Sequence, residues 1–166
     1  MTRTERDGMC VGDLMTRDPL TVRGGDTLRT VVERMAHGRI RHLPVVDDQG
    51  ALVGLVTQRD VLAARPSRLL DPEGIRDAAL LRDTPVSAVM VRQLVRARRD
   101  TPLGDAVNRM LDAKLGCLPV VDPDDRLVGI VTEADFLKLA RVLLDAADGV
   151  THPAFHAEGQ SSEGPS

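Results

Sequence analysis

Thr57 and Asp60 stand three residues apart after the β-branched run Leu52 to Val56, and Thr132 and Asp135 stand in the same relation after Leu127 to Val131. A hydroxyl and a carboxylate so spaced at a strand-to-helix junction have two uses. Locally they form a capping box that satisfies free N–H groups of the first helical turn. Towards a ligand, the helix start and hydroxyl suit a phosphate, while the carboxylate accepts both hydroxyls of a ribose diol. For one such pair alone the cap is the simpler reading.

Other reactive side chains are sparse. Cys10 and Cys117 form no CxxC and are too few for a disulfide framework. Two reduced thiols are expected, Cys117 within a strand, with a redox pair as the alternative. His152 and His156 have the i, i+4 spacing of a helical metal pair, but Pro153 between them argues against the helix, and no metal is expected. No nucleophile with a nearby base, metal-ligand cluster or Walker-type loop is visible, so no catalytic residue is assigned and the chain reads as a non-enzyme.

The elements that hold the two pairs occur twice. His42 to Asp60 contains Leu-Pro-Val-Val-Asp, a turn and Leu-Val-Gly-Leu-Val-Thr; Cys117 to Asp135 contains the same order. The offset, 117 − 42 = 75, carries Val11–Leu62 over Val86–Leu137 without a gap, with matches at Met15/Met90 and Met35/Met110. Each copy predicts a hairpin across Asp47–Gly50 or Asp122–Asp125, followed by a helix opened by Thr57 or Thr132. Upstream, a helical turn over Val11–Met15 leads to a loop and short strand that Gly24-Gly25 ends. Asp26 is the expected N-cap of a helix to about His37, with Leu28, Val31, Val32 and Met35 on one face and Gly38 as C-cap. In the second copy Thr101 is the expected cap, with Pro102 at the first helical position.

A lead-in is expected over 1–10, repeat 1 over 11–64, a linker with a short helix from Asp71-Pro72-Glu73 over 65–85, repeat 2 with a long final helix over 86–148, and a disordered tail over 149–166. Units this small bury little surface alone, so the copies are expected to pack about a pseudo-two-fold axis. The net charge is −3 among 166 residues, which gives no global case for nucleic acid or an anionic membrane. Trp and Tyr are absent and Phe occurs only at Phe136 and Phe155, so stacking platforms for single strands are missing and a bound base must sit on aliphatic walls. No membrane-length apolar run or signal peptide is seen, and the cytoplasm is the expected location.

Leu-Pro-Val-Val-Asp, the turn, and then Gly-Leu-Val-Thr-x-x-Asp or Gly-Ile-Val-Thr-x-x-Asp resemble the CBS domain, and two copies resemble a CBS pair, or Bateman module. The resemblance implies a mixed α/β fold of two β-α-β-β-α repeats with two clefts between them. It also implies an adenosine-containing regulatory ligand (AMP, ADP, ATP or S-adenosylmethionine), no required cofactor, and a homodimer of pairs with a protein partner. Carried over by position, the favoured cleft joins Thr132 and Asp135 to Thr16, Pro19, Thr21, Ile40, Arg41 and His42. The other joins Thr57 and Asp60 to Val91, Leu94, Arg96, Leu115, Gly116 and Cys117. By charge, Arg59 and the Arg96, Arg98, Arg99 cluster read first as a surface cluster unrelated to ligand, with phosphate contacts in this cleft as the alternative. The expected function is a sensor that converts occupancy into a change of shape or partner affinity. The alternative is a ligand-free scaffold whose Thr-x-x-Asp pairs are helix caps; nucleotide hydrolysis and RNA binding rank below both.

Overall fold

The computed structural model describes residues 8–149; the start of the lead-in and the tail from Val150, with His152 and His156, lie outside the described residues. The elements run α1 (Val11–Leu14), β1 (Thr16–Arg17), α2 (Leu28–Gly38), β2 (His42–Val46), β3 (Leu52–Thr57), α3 (Gln58–Ala64), α4 (Ile75–Asp83), a 3-10 turn (Val86–Ala88), α5 (Leu103–Asp112), β4 (Cys117–Val121), β5 (Leu127–Thr132) and α6 (Glu133–Ala147). The mixed α/β architecture with small antiparallel sheets is the one the tandem repeat predicts. Two compact units result, one ending at Glu133 and one beginning at Ala134.

The two hairpins are near copies. His42 pairs with Thr57 and Val45 with Gly54; Cys117 pairs with Thr132 and Val120 with Gly129, and each hairpin shifts register one residue later. Asp47 and Asp122 build the turns: each Oδ1 accepts two backbone N–H groups at 2.9 Å, from Gln49 and Ala51 or from Asp124 and Arg126. The last turn residue is left-handed in both, Gly50 at φ 82° and Asp125 at φ 60°. Asp is among the few non-glycine residues that visit this region readily.

Within the first unit the copies interlock. Thr16 and Arg17 of β1 pair with Ile130 and Gly129 of the second hairpin. At the related position Val91 and Leu55 exchange two N–H···O bonds of 2.9 Å, so the second repeat's lead strand is reduced to a single bridge. Val86 is fully buried in the first repeat's core, among Leu28, Val31, Leu43 and Val56. Conversely, the Val11 N–H donates to Thr101 O at 2.8 Å. Each repeat's lead-in therefore crosses to the other. Near the pseudo-axis, Leu52 N–H donates to Asp125 O at 3.0 Å and Leu127 N–H to Gly50 O at 3.1 Å, bonds that map onto each other through the 75-residue offset. Gly54 and Gly129 permit the crossing: a Cβ there would fall 2.6 Å from Met90 Sδ or 2.5 Å from Met15 Sδ.

Three expected caps are corrected by one residue. Thr27, not Asp26, caps α2 and accepts from Thr30 N–H at 3.4 Å. Asp26 instead closes the preceding turn, accepting from Arg23 N–H at 2.9 Å. Thr101 does likewise for Arg98 N–H, and Pro102 occupies the cap position of α5. At the other end of α2, Gly38 is helical and Arg39 takes the left-handed C-cap at φ 50°. Leu20 packs over Gly38, where a Cβ would meet its Cδ1 at 2.8 Å and push that exposed side chain aside.

The segment between repeats is a built element. Asp71, buried, accepts from Arg76 and Asp77 N–H groups at 3.2 and 2.8 Å, which starts α4. Arg65 at the end of α3 grips Asp77 through two bonds of 2.7 and 2.5 Å. Leu80 and Leu81 then pack on the first repeat's core. In the second unit, α6 carries an ion pair of 3.5 Å between Lys138 and Asp135 and exposes Leu137, Val142, Leu143 and Leu144.

Candidate functional site

The strand β3 delivers Thr57 to the start of α3, and the expected capping box forms there. Asp60 Oδ2 accepts from Thr57 N–H at 2.8 Å and from Thr57 Oγ1 at 2.7 Å, while Asp60 N–H donates to Thr57 Oγ1 at 3.3 Å. The box uses one carboxylate oxygen. Among the described residues Oδ1 makes no hydrogen bond, so it keeps its full acceptor capacity.

Thr57 and Asp60 line a cavity of about 630 Å³ within the first unit. That volume lies within the usual range for small-molecule sites. The lining includes the aliphatic Leu55, Leu62, Val91, Leu94, Val95 and Leu115. Its charges are mixed: Arg41, Arg59 and Lys114 contribute cations, and Asp60 and Glu133 contribute carboxylates. Among the described residues none of the three cations is held in an ion pair. They are exposed at the cavity's edge, available to an anion.

His42 and Cys117 begin β2 and β4 and both line the cavity. A Cβ on Gly116 would lie 2.8 Å from His42 Nε2, so that glycine makes room for the ring. Burial lowers the His42 pKa below its ordinary 6.5, opposed by Glu133 and Asp60 and assisted by Arg41 and Arg59. Burial, with Glu133 beside it, pushes the Cys117 thiol up to about 12, so it stays protonated and unreactive at neutral pH.

The His42 shift has a definite sign. A folded pKa below the unfolded value means that the unfolded chain binds more protons, so stability rises with pH across that interval. The neutral ring's contribution is complete above about pH 6.5 and is lost as pH falls below it. Melting from pH 7.5 down to 5.5 should therefore show a steeper decline for wild type than for His42→Gln; parallel curves would contradict the assignment.

The structure brings Thr57, Asp60, Val91, Leu94, Leu115, Gly116 and Cys117 around this one cavity. Arg96 is not among them. It pairs with Asp125 at 3.2 Å and offers its carbonyl to Arg109 Nη1 at 3.0 Å, so it is engaged in holding the turn and α5. Arg98 and Arg99 also lie outside the lining. Arg41 and His42, assigned by position to the Asp135 set, also line the Asp60 cavity, where the His42 ring lies against Gly116 just before β4. Of the remaining Asp135 set, Thr16 sits in β1, Pro19 and Thr21 follow it, Ile40 precedes β2, and Thr132 ends β5 opposite Cys117. Asp135 is buried on α6, in the second unit.

A family model described as the CBS domain matches residues 11–67 and 86–141. The chain belongs to the CBS domain family. It is 35% identical over 136 residues to a CBS domain-containing protein of Dictyostelium discoideum, covering 81% of this chain and 93% of that one. It is 33% identical over 129 residues to a homoserine O-acetyltransferase of Methanococcoides burtonii, covering 78% of this chain but only 24% of the relative. The chain thus spans about a quarter of that relative's length. Among solved structures it is similar to CBSX2 in complex with AMP, with a TM-score of 0.69, 29% identity, and coverage of 82% of this chain and 99% of that chain. CBSX2 is a CBS-pair protein from Arabidopsis thaliana. The CBS domain pair of protein MJ0100, in complex with 5'-methylthioadenosine and S-adenosylmethionine, is similar with a TM-score of 0.68, 26% identity, and coverage of 81% of this chain and 98% of that chain.

Among the charged residues lining the cavity of this CBS pair, Lys114 and Glu133 escape motif reading. Lys114 had a signal: at the 75-residue offset it matches Arg39, and both take the left-handed conformation after a helix, at φ 52° and 50°. Glu133 occupies the variable position after Thr132, where its counterpart is Gln58. Only the fold places it in a cavity beside His42 and Cys117.

Proposed function

We propose that the Asp60 cavity binds an adenosine-containing nucleotide and that occupancy changes the chain's conformation or its affinity for a protein partner. The observation that carries this reading is the half-used carboxylate. Asp60 caps α3 with Oδ2 and keeps Oδ1 for a ribose diol, inside a cavity that offers aliphatic walls to a base and cations to a phosphate. The AMP bound by CBSX2 and the adenosyl compounds bound by MJ0100 support the ligand class. A ligand that touches both repeats favours the arrangement in which the cavity is closed around it, which is the population shift a sensor requires.

By residue type the proposal extends to Thr132 and Asp135, for which Asp135→Ala is the separate test. A homodimer is part of the same reading and is supported by the exposed Leu137, Val142, Leu143 and Leu144 of α6. No helix of the described residues is long and apolar enough to cross a membrane.

The second reading, a ligand-free scaffold, rests on the capping box being complete without a ligand. Isothermal titration with AMP, ADP, ATP and S-adenosylmethionine separates the two. The sensor reading expects saturable binding of at least one; no heat and no competition with any of them leaves the scaffold.

A further inference from the structure

The two Thr-x-x-Asp junctions differ one helical turn beyond the carboxylate. At the 75-residue offset Ala63, three residues after Asp60, corresponds to Lys138, three residues after Asp135. Side chains three apart share a helix face, and the later one leans back towards the earlier. In α6 the Lys138 ammonium uses that position and lies 3.5 Å from Asp135 Oδ1. In α3 the methyl group of Ala63 carries no charge, and Asp60 Oδ1 makes neither a hydrogen bond nor an ion pair among the described residues. The Asp135 side chain is 12% exposed and that of Lys138 55%, so the pair joins a largely buried carboxylate to a solvated ammonium. The junction itself does not require the lysine. Helix α3 follows Thr57 as α6 follows Thr132, and it forms with Ala63 exposed at that position.

Resting on the adenosine reading above, we infer that Lys138 sets the order of binding: it competes with a ribose diol for the Asp135 carboxylate, so the Asp60 junction binds more tightly and fills first. A diol donates two hydroxyl hydrogens to the carboxylate it meets. At Asp135 the ammonium already lies against one of the oxygens. A ligand there must either part the pair or carry the ammonium out of water with it, and both cost free energy. At Asp60 neither cost arises, because the first repeat has a methyl group where the second has an ammonium. The competition concerns the diol alone. Adenosine is therefore the probe, since it offers the diol without a phosphate that the lysine attracts.

The test is calorimetric titration of the full chain with adenosine, with AMP alongside, in variants that isolate each junction: Asp135→Ala leaves Asp60, and Asp60→Ala leaves Asp135. Adding Ala63→Lys to Asp135→Ala is expected to weaken adenosine by about fivefold, the upper worth of an ion pair of this kind. Adding Lys138→Ala to Asp60→Ala is expected to strengthen it by a similar factor. Ala63→Gln, a long side chain without charge, should leave adenosine binding at the Asp60 junction unchanged. Ala63→Lys that binds adenosine as tightly as its parent or more so, or Lys138→Ala that gains nothing, overturns the competition and leaves the adenosine site standing. An equal loss with Ala63→Gln does the same, since the effect is then steric. AMP binding without adenosine binding also overturns it, because the carboxylate is then not gripping a diol. Absence of binding by both probes in wild type overturns both readings.

Discussion

Leu43→Ala is expected to destabilise the protein by about 2–5 kcal/mol, the usual cost of emptying a fully buried leucine site, and to do so through a single melting transition. Leu43 is fully buried in a cluster that includes Val86, contributed by the other repeat's lead-in. Leu118 is its counterpart in the second hairpin and is equally buried. Because each lead-in completes the other repeat's core, neither repeat can lose its packing alone. Leu118→Ala should therefore lower the same transition by a similar amount. At about 2–4 °C per kcal/mol for a chain of this size, the shifts are easily read by calorimetry. Two separable transitions, with only one moved by each substitution, would contradict the interlock.

The interlock is also where sequence reading reached its limit. The hairpins were legible because Leu43 to Val46 and Leu52 to Val56 are bounded by turn chemistry, and both copies repeat it. Thr57 with Asp60 was legible as a capping box for the same local reason. Val11 and Val86 read as apolar residues bound for a core, but hydrophobicity is non-directional and does not say whose core. Their exchange depends on backbone bonds, such as Val11 N–H to Thr101 O and Val86 N–H to Asp26 O, both 2.8 Å. Those bonds leave no mark in side-chain type.

The misplaced caps have a related cause. Asp26 and Thr101 are good cap residues by type, and their side chains do accept backbone N–H groups. They accept backward, from residues three earlier, so the turn before the helix gains the bond and the helix begins one residue later. Composition cannot choose between these two uses of one oxygen. That Arg41 and His42 also line the Asp60 cavity has a global cause. Position in the repeat assigns the starts of β2 and β4 to opposite clefts, one to each, whereas residues from both starts line the Asp60 cavity.

Asp60→Ala is expected to have two separable effects. Without ligand it removes the acceptor for Thr57 N–H and Oγ1, and loss of such a cap costs about 1 kcal/mol. With ligand it removes the ribose acceptor as well. A ligand held at a hundred times its dissociation constant stabilises the native state by about 2.7 kcal/mol through mass action. The variant should lose that increment at this cavity on top of the smaller cap deficit. Asp60→Asn is the control that separates the effects further, since it keeps an acceptor oxygen for the cap but cannot offer a charged carboxylate to a diol.

The most direct test of the central claim is calorimetric melting of wild type and Asp60→Ala, each with and without ATP at saturating concentration, with Asp135→Ala run alongside. Binding at the Asp60 cavity predicts that ATP raises the wild-type transition and that Asp60→Ala loses a substantial part of the rise while melting only slightly lower on its own. An ATP-induced rise that is the same size in Asp60→Ala as in wild type would contradict it.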